Sequence, residues 1–150
     1  MRDTAGTTTK ALKPREAAIF AALTDAYCAP AAFLRPVGES DAVAFADQLA
    51  VASPKVNRIG FRVILRLVDV APLLRGYRKR FRLLRREQRD QFLHGLDSSR
   101  WFIVRTTGRL LKTITLMSYY GDAEVTRALG YDPDANLARA RAARMEEGQV

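Results

Sequence analysis

Ile19, Phe20, Leu23 and Tyr27 recur at intervals of three and four, which lays an apolar stripe along one side of a helix. Pro14 opens that helix, because proline at the first helical position gives up an N–H that has no partner there. Glu16 in the first turn suits the positive end of the dipole. The run CAPAAFLRPVGES, 28–40, holds two prolines and a glycine and reads as a loop. Ser40 or Asp41 then caps a second helix to about Ala52, with Val43, Leu49 and the alanines inward. Ser53-Pro54 starts a third, running to about Val70. In it Arg58, Arg62 and Arg66 fall four apart, with Asp69 following, and form one narrow polar strip. Val56, Ile59, Phe61, Val63, Ile64, Leu65, Leu67 and Val68 take most of the remaining circumference. So apolar a helix belongs in the middle of a bundle or under a partner. Arginine at every turn excludes a membrane span.

Pro72 and Gly76 break the pattern, and a helix over 86–96 follows with Phe92, Leu93 and Leu96 inward. The longest element is expected from Ser98–Ser99 to Tyr120. Asp122 caps the next turn, and Gly130 stops it in the left-handed conformation. After Asp132-Pro133 the segment NLARARAARMEE has good helix propensity, with only Leu137 and Met145 as anchors. No strand-like alternation exceeds four residues, and there are no repeats and no coiled-coil heptads of useful length. The pattern predicts an all-α fold, a single compact bundle of five to six helices over residues 13–133. A flexible arm over 1–12 precedes it, and a basic C-terminal helical tail over 134–150 follows.

The long helix divides into two sides at about 100° per residue. Ile103, Thr107, Leu110, Ile114 and Met117 fall together as its expected core stripe. Opposite them, Arg105, Arg109 and Lys112 form a basic ridge, with Trp101, Phe102, Leu116, Tyr119 and Tyr120 around it. Aromatics with arginine are enriched where protein surfaces bury one another. Three covers fit this face: the chain's own segment beyond 122, a partner protein, or nucleic acid or lipid.

Charge sharpens the picture. The 150 residues carry a net +9, with 25 Lys+Arg against 16 Asp+Glu, and arginine supplies most of the cations. Such a balance attracts acidic surfaces, although arginine-rich codon usage gives the same composition. Arg75, Arg78, Lys79, Arg80, Arg82, Arg85, Arg86 and Arg89 could neutralise phosphates. They alternate with apolar residues, however, and no recognition helix or RNA-binding signature accompanies them. The sequence disfavours nucleic acid and membrane as partners.

Catalytic groups are sparse. The single histidine, His94, lies in a basic stretch, and the single cysteine, Cys28, reads as a small buried hydrophobe. No ligand spacing for zinc occurs, nor any Gly-x-Gly phosphate loop or Gly-x-Ser-x-Gly elbow. The sequence therefore predicts no catalytic residue, no metal and no cofactor in this chain. Its first residues show neither an apolar signal core nor a twin arginine, which predicts a cytoplasmic location.

Three stretches, KPREAAIFAAL, RFRLLRREQRDQFLHGL and LLKTITLMSYYGDAEVTRALGYD, occur in that order. Together they resemble the small-subunit family related to gluconate 2-dehydrogenase subunit 3, a helical module also fused ahead of the flavin domain in some glucose–methanol–choline oxidoreductases. The likeness covers roughly 12–133 and is most specific at Lys112, Tyr119, Tyr120, Asp122, Gly130 and Tyr131. It implies a non-catalytic accessory subunit whose partner, an FAD-dependent oxidoreductase large subunit, oxidises an alcohol, sugar or sterol hydroxyl. Two departures stand out. The secretion signal common among such subunits is absent, which favours an intracellular complex, and Lys13 replaces the usual Ser or Thr before the first helix. On this reading Trp101, Phe102, Leu116, Tyr119 and Tyr120 are partner contacts, while Arg105, Arg109 and Lys112 pair with acidic groups.

Overall fold

A computed structural model describes residues 9–28 and 30–147. All regular structure among them is helical: α1 (Pro14–Cys28), α2 (Ala42–Ala52), α3 (Lys55–Leu74), α4 (Arg86–Asp97), α5 (Phe102–Tyr120), α6 (Ala123–Ala128) and α7 (Pro133–Glu147). Short 3-10 turns lie at Val37–Glu39 and Phe81–Leu83. α6 is the segment that the sequence reads as a capped turn, and α7 falls where it reads a tail.

Local chemistry explains most boundaries. Pro14 opens α1 as expected. Lys13 cannot accept the capping bond, but Glu16 reaches back and accepts the Lys13 N–H at 2.9 Å, which is half of a capping box. Pro72 does not end α3, which continues to Leu74. Tyr77 N–H donates to the Pro72 carbonyl and Gly76 N–H to that of Leu73, a Schellman closure. α6 ends the same way, through Tyr131 onto Thr126 and Gly130 onto Arg127. Gly76 and Gly130 hold the required left-handed position, with φ of 85° and 70°. α5 begins at Phe102 rather than Ser98, because Ser98 closes α4 by donating to the His94 carbonyl.

α1, not α3, runs through the middle and touches α2, α3, α4 and α5. Its Ile19, Phe20 and Leu23 are fully buried against Leu65, Phe81, Phe92 and Leu111. Edge-on rings lock this core, Phe20 against Phe61 at 6.1 Å and Tyr77 against Phe92 at 6.3 Å. A smaller cluster gathers Cys28, Leu34, Val37, Tyr119 and Val125 at the far end of α1.

Four buried carboxylates tie these helices together. Glu16 pairs with Arg62 at 2.9 Å and Arg66 at 2.6 Å. Asp69 pairs with Arg15 at 2.9 Å and lies 3.9 Å from Arg82. Asp47 accepts the N–H groups of Lys10, Ala11 and Leu12. Of the arm expected over 1–12, residues 1–8 lie outside the described residues, and the rest is pinned by these bonds, with Leu12 buried. Asp122 caps α6 through Glu124 and Val125 and also accepts the Asp41 N–H at the start of α2. Asp41 makes no side-chain cap of its own.

Burial alone would raise the carboxyls of Glu16, Asp47 and Asp122. The N–H donors and cations around each outweigh it and hold all three below the ordinary range. A depressed folded pKa gives stability that is complete above the unfolded value of about 4 and drains as pH falls through the folded one. The urea midpoint should therefore drop steeply as pH is lowered from about 5 to about 3. Glu16→Gln should cost on the order of 3 kcal/mol at neutral pH and flatten part of that acid slope, because it leaves two arginines facing a neutral amide.

Candidate partner-binding face

The arginine strip of α3 runs along the edge between its buried residues, such as Leu65 and Val68, and its exposed ones. Arg62 and Arg66 reach Glu16, and Arg58 donates to the carbonyls of Ala50 and Val51 at the end of α2. One apolar side, with Leu65 and Val68, is buried in the core, and a second turns outward. Val56 is 78% exposed and Leu67 63%, and Ile59, Val63, Val70 and Leu74 are also exposed. Their spacing of three and four continues along the 20-residue helix. It is a solvent-facing seam on a helix whose apolar circumference suits the middle of a bundle or the underside of a partner. Leu49 on α2, expected inside, is exposed as well.

α5 is rotated by about 100°, one residue's step, from its expected orientation. Its buried side is Gly108, Leu111, Thr115, Ser118 and Tyr119. The expected core residues Ile103, Leu110 and Met117 are instead exposed, at 77%, 58% and 59%. Small residues prevail because the helices approach closely. A side chain added at Gly108 would lie 3.0 Å from Asp97 Oδ1 and 3.6 Å from Leu96 Cβ. Thr115 and Ser118 satisfy their hydroxyls on carbonyls within the helix, so they can be buried.

The expected contacts divide accordingly. Trp101, Phe102, Arg109, Lys112 and Tyr120 are exposed, Arg105 and Leu116 are partly buried, and Tyr119 is fully buried. Tyr119 is therefore no surface contact. Its hydroxyl donates to the Arg35 carbonyl at 2.6 Å, and its ring packs with Val125 of α6 and with Leu34 and Val37. Leu116 packs partly onto the same cluster. Burial first, then Cys28, Tyr120 and Asp122, raise the Tyr119 phenol, so it stays a neutral donor. The chain's own α6 thus covers Tyr119, while Trp101, Phe102 and Tyr120 remain open. Arg105 is turned onto the Ser99 carbonyl at 2.8 Å. Tyr131, beside Gly130, is exposed.

Between α3 and α5 runs a groove of about 520 Å³, lined by Phe61, Ile64, Thr107, Leu110 and Ile114, with Leu49 of α2 also on its wall. A second, polar crevice between α1, α4 and α5 brings together Tyr27, Asp90, His94, Asp97 and Lys112. Burial, then the Asp97 carboxylate, push the Tyr27 phenol above its ordinary value, and Lys112 Nζ lies 6.0 Å from its ring. Such a phenol is a poor acid at neutral pH. Cys28 is buried, and its thiol is pushed up to about 11 by burial and then by Asp25. Among the described residues no three potential metal ligands converge, and no helix is long and apolar enough to cross a membrane.

The basic cluster at 75–89 is split. Arg75 stacks over Phe92, Arg82 lies against Asp69, and Arg89 bonds to Asp25 and the Arg82 carbonyl. Arg78, Lys79, Arg85 and Arg86 are exposed.

Set beside known proteins, the chain matches no family model, no curated protein and no solved structure.

The division between Tyr119 and Tyr120 is measurable. Tyr119→Phe should lower stability by about 1 kcal/mol through the lost bond to Arg35. Phe102→Ala, on the open side, should stay within about 0.5 kcal/mol of the parent in urea titration.

Proposed function

We propose that the chain is a non-catalytic accessory subunit that binds and stabilises the large subunit of an FAD-dependent alcohol, sugar or sterol oxidoreductase. One observation carries the accessory role: α3 turns a continuous apolar strip to solvent and α5 turns Ile103, Leu110 and Met117 to it, on either side of a groove. Contiguous exposed apolar surface of this extent marks an interaction site. Phe102 and Tyr120 extend it along the outer side of α5, and Arg109 and Lys112 supply cations for acidic groups of the partner.

The identity of the partner rests on the resemblance. Several residues that carry it do structural work: Tyr119 anchors the 30–37 loop, Asp122 joins α2 to α6, and Gly130 closes α6. FAD belongs to the partner in this reading, and this chain supplies no reacting group. A basic module for nucleic acid or anionic membrane is the competing reading, and it is weaker because three arginines of the 75–89 cluster are spent on internal contacts.

Tagged chain recovered from its native cell should bring down a flavoprotein, seen as flavin absorbance in the eluate. Leu67→Asp and Leu110→Asp should each abolish that recovery while shifting the urea midpoint by no more than about 0.5 kcal/mol equivalent. Recovery of the chain without a flavoprotein overturns the assignment.

A further inference from the structure

The charges bordering the apolar face constrain what can lie on it. Crossing the face from one edge, Arg66 and Arg62 come first, followed by the α3 strip of Val63, Leu67 and Val70. The groove floor of Phe61, Ile64 and Ile114 lies next, then Leu110 and Met117 of α5, and finally the exposed Arg109. α3 and α5 together hold seven cationic residues and one acid, Asp69, which is buried against Arg15. Glu16 does not cancel its border, since two guanidiniums share one carboxylate and a positive charge is left over. An apolar trough with cations on both banks is the complement of one kind of surface.

We infer that this face receives an amphipathic helix of the partner subunit whose apolar ridge is flanked on both sides by aspartate and glutamate, an inference that rests on the accessory-subunit reading. The α3 strip repeats every three and four residues over 20 residues, about 30 Å of helix, and a second helix presents matching side chains at that spacing. The groove gives its ridge a place to enter, and the banks select its flanking charges.

Other occupants fit less well. A second copy of this chain would set cations against cations across the same face. The chain's own α7 carries Arg139, Arg141 and Arg144 with only Leu137 and Met145 as large apolar residues, and both of those are exposed. A bilayer surface would press on the strips and leave the groove between them unfilled.

The test uses the full chain and two labelled synthetic helical peptides. Both carry leucine at every third and fourth position; one has glutamate and the other lysine at the flanking positions. The glutamate peptide should bind at least about tenfold more tightly than the lysine peptide at low ionic strength, and the difference should shrink as salt is added. Val63→Asp should weaken its binding by about tenfold or more. Arg109→Glu should reduce the preference for glutamate while the circular dichroism and urea midpoint remain those of the parent.

Equal binding of the two peptides overturns the inference. So does uptake by phosphatidylcholine–phosphatidylserine vesicles that Val63→Asp abolishes while the glutamate peptide fails to bind, or a dimer in sedimentation that Val63→Asp dissociates. If a flavoprotein still accompanies Val63→Asp and Leu110→Asp undiminished, this site is wrong and the accessory role stands. If the peptides behave as expected but no flavoprotein is recovered, the flavoenzyme assignment falls and the site remains.

Discussion

Taking the Glu16 carboxylate out of water requires cations, and both of them, Arg62 and Arg66, come from one side of α3. An unpaired carboxylate at this depth would cost several kcal/mol, more than exposing any one valine or leucine. The pairing therefore decides which way α3 faces. Asp69, on the same side of α3, repeats the constraint through Arg15 on α1. α3 has apolar residues on both sides of that pairing: Leu65 and Val68 are buried in the core, and Val63, Leu67 and Val70 are left to solvent. The ion pairs thereby help fix which of the helix's two apolar sides stays outside.

α5 reaches the same condition by a different route. Gly108, Thr115 and Ser118 let it lie close against α1 and α4, and close approach favours small side chains over large ones. Leu110 and Met117 are too large for that contact and stand outside. Both helices keep large apolar residues on their outer sides and line one groove. A chain selected only to fold alone has no reason to expose both, since each apolar residue left in water forgoes about 1.5–3 kcal/mol of burial.

The sequence made the element boundaries legible wherever a single residue determines them, as at Pro14, Asp122 and Gly130. The helical class followed from spacing alone. Orientation did not, for two physical reasons. Hydrophobicity ranks Ile103 and Leu110 above Thr115 and Ser118 as core, but hydroxyls bonded to carbonyls of their own helix are cheap to bury, and so the wheel is misread by one step. The partner of Arg62 lies 46 residues away on α1, and no local pattern reveals that pairing. Tyr119 shows the same limit: beside Tyr120 it is indistinguishable in sequence, yet one ring is sealed by the 30–37 loop and the other is open. The warning was present in α3, whose apolar residues were too many for one buried side.

Cys28 gives the molecule a built-in gauge. It is the chain's only thiol, sits at the end of the central helix and shares its packing with Tyr119 and Val125. Only the thiolate reacts with alkylating reagents, and a thiol that is both enclosed and slow to ionise is silent until its surroundings part. The rate at which such a reagent consumes it therefore counts the moments when α6 and the 30–37 loop lift away from α1, without any probe having to be introduced.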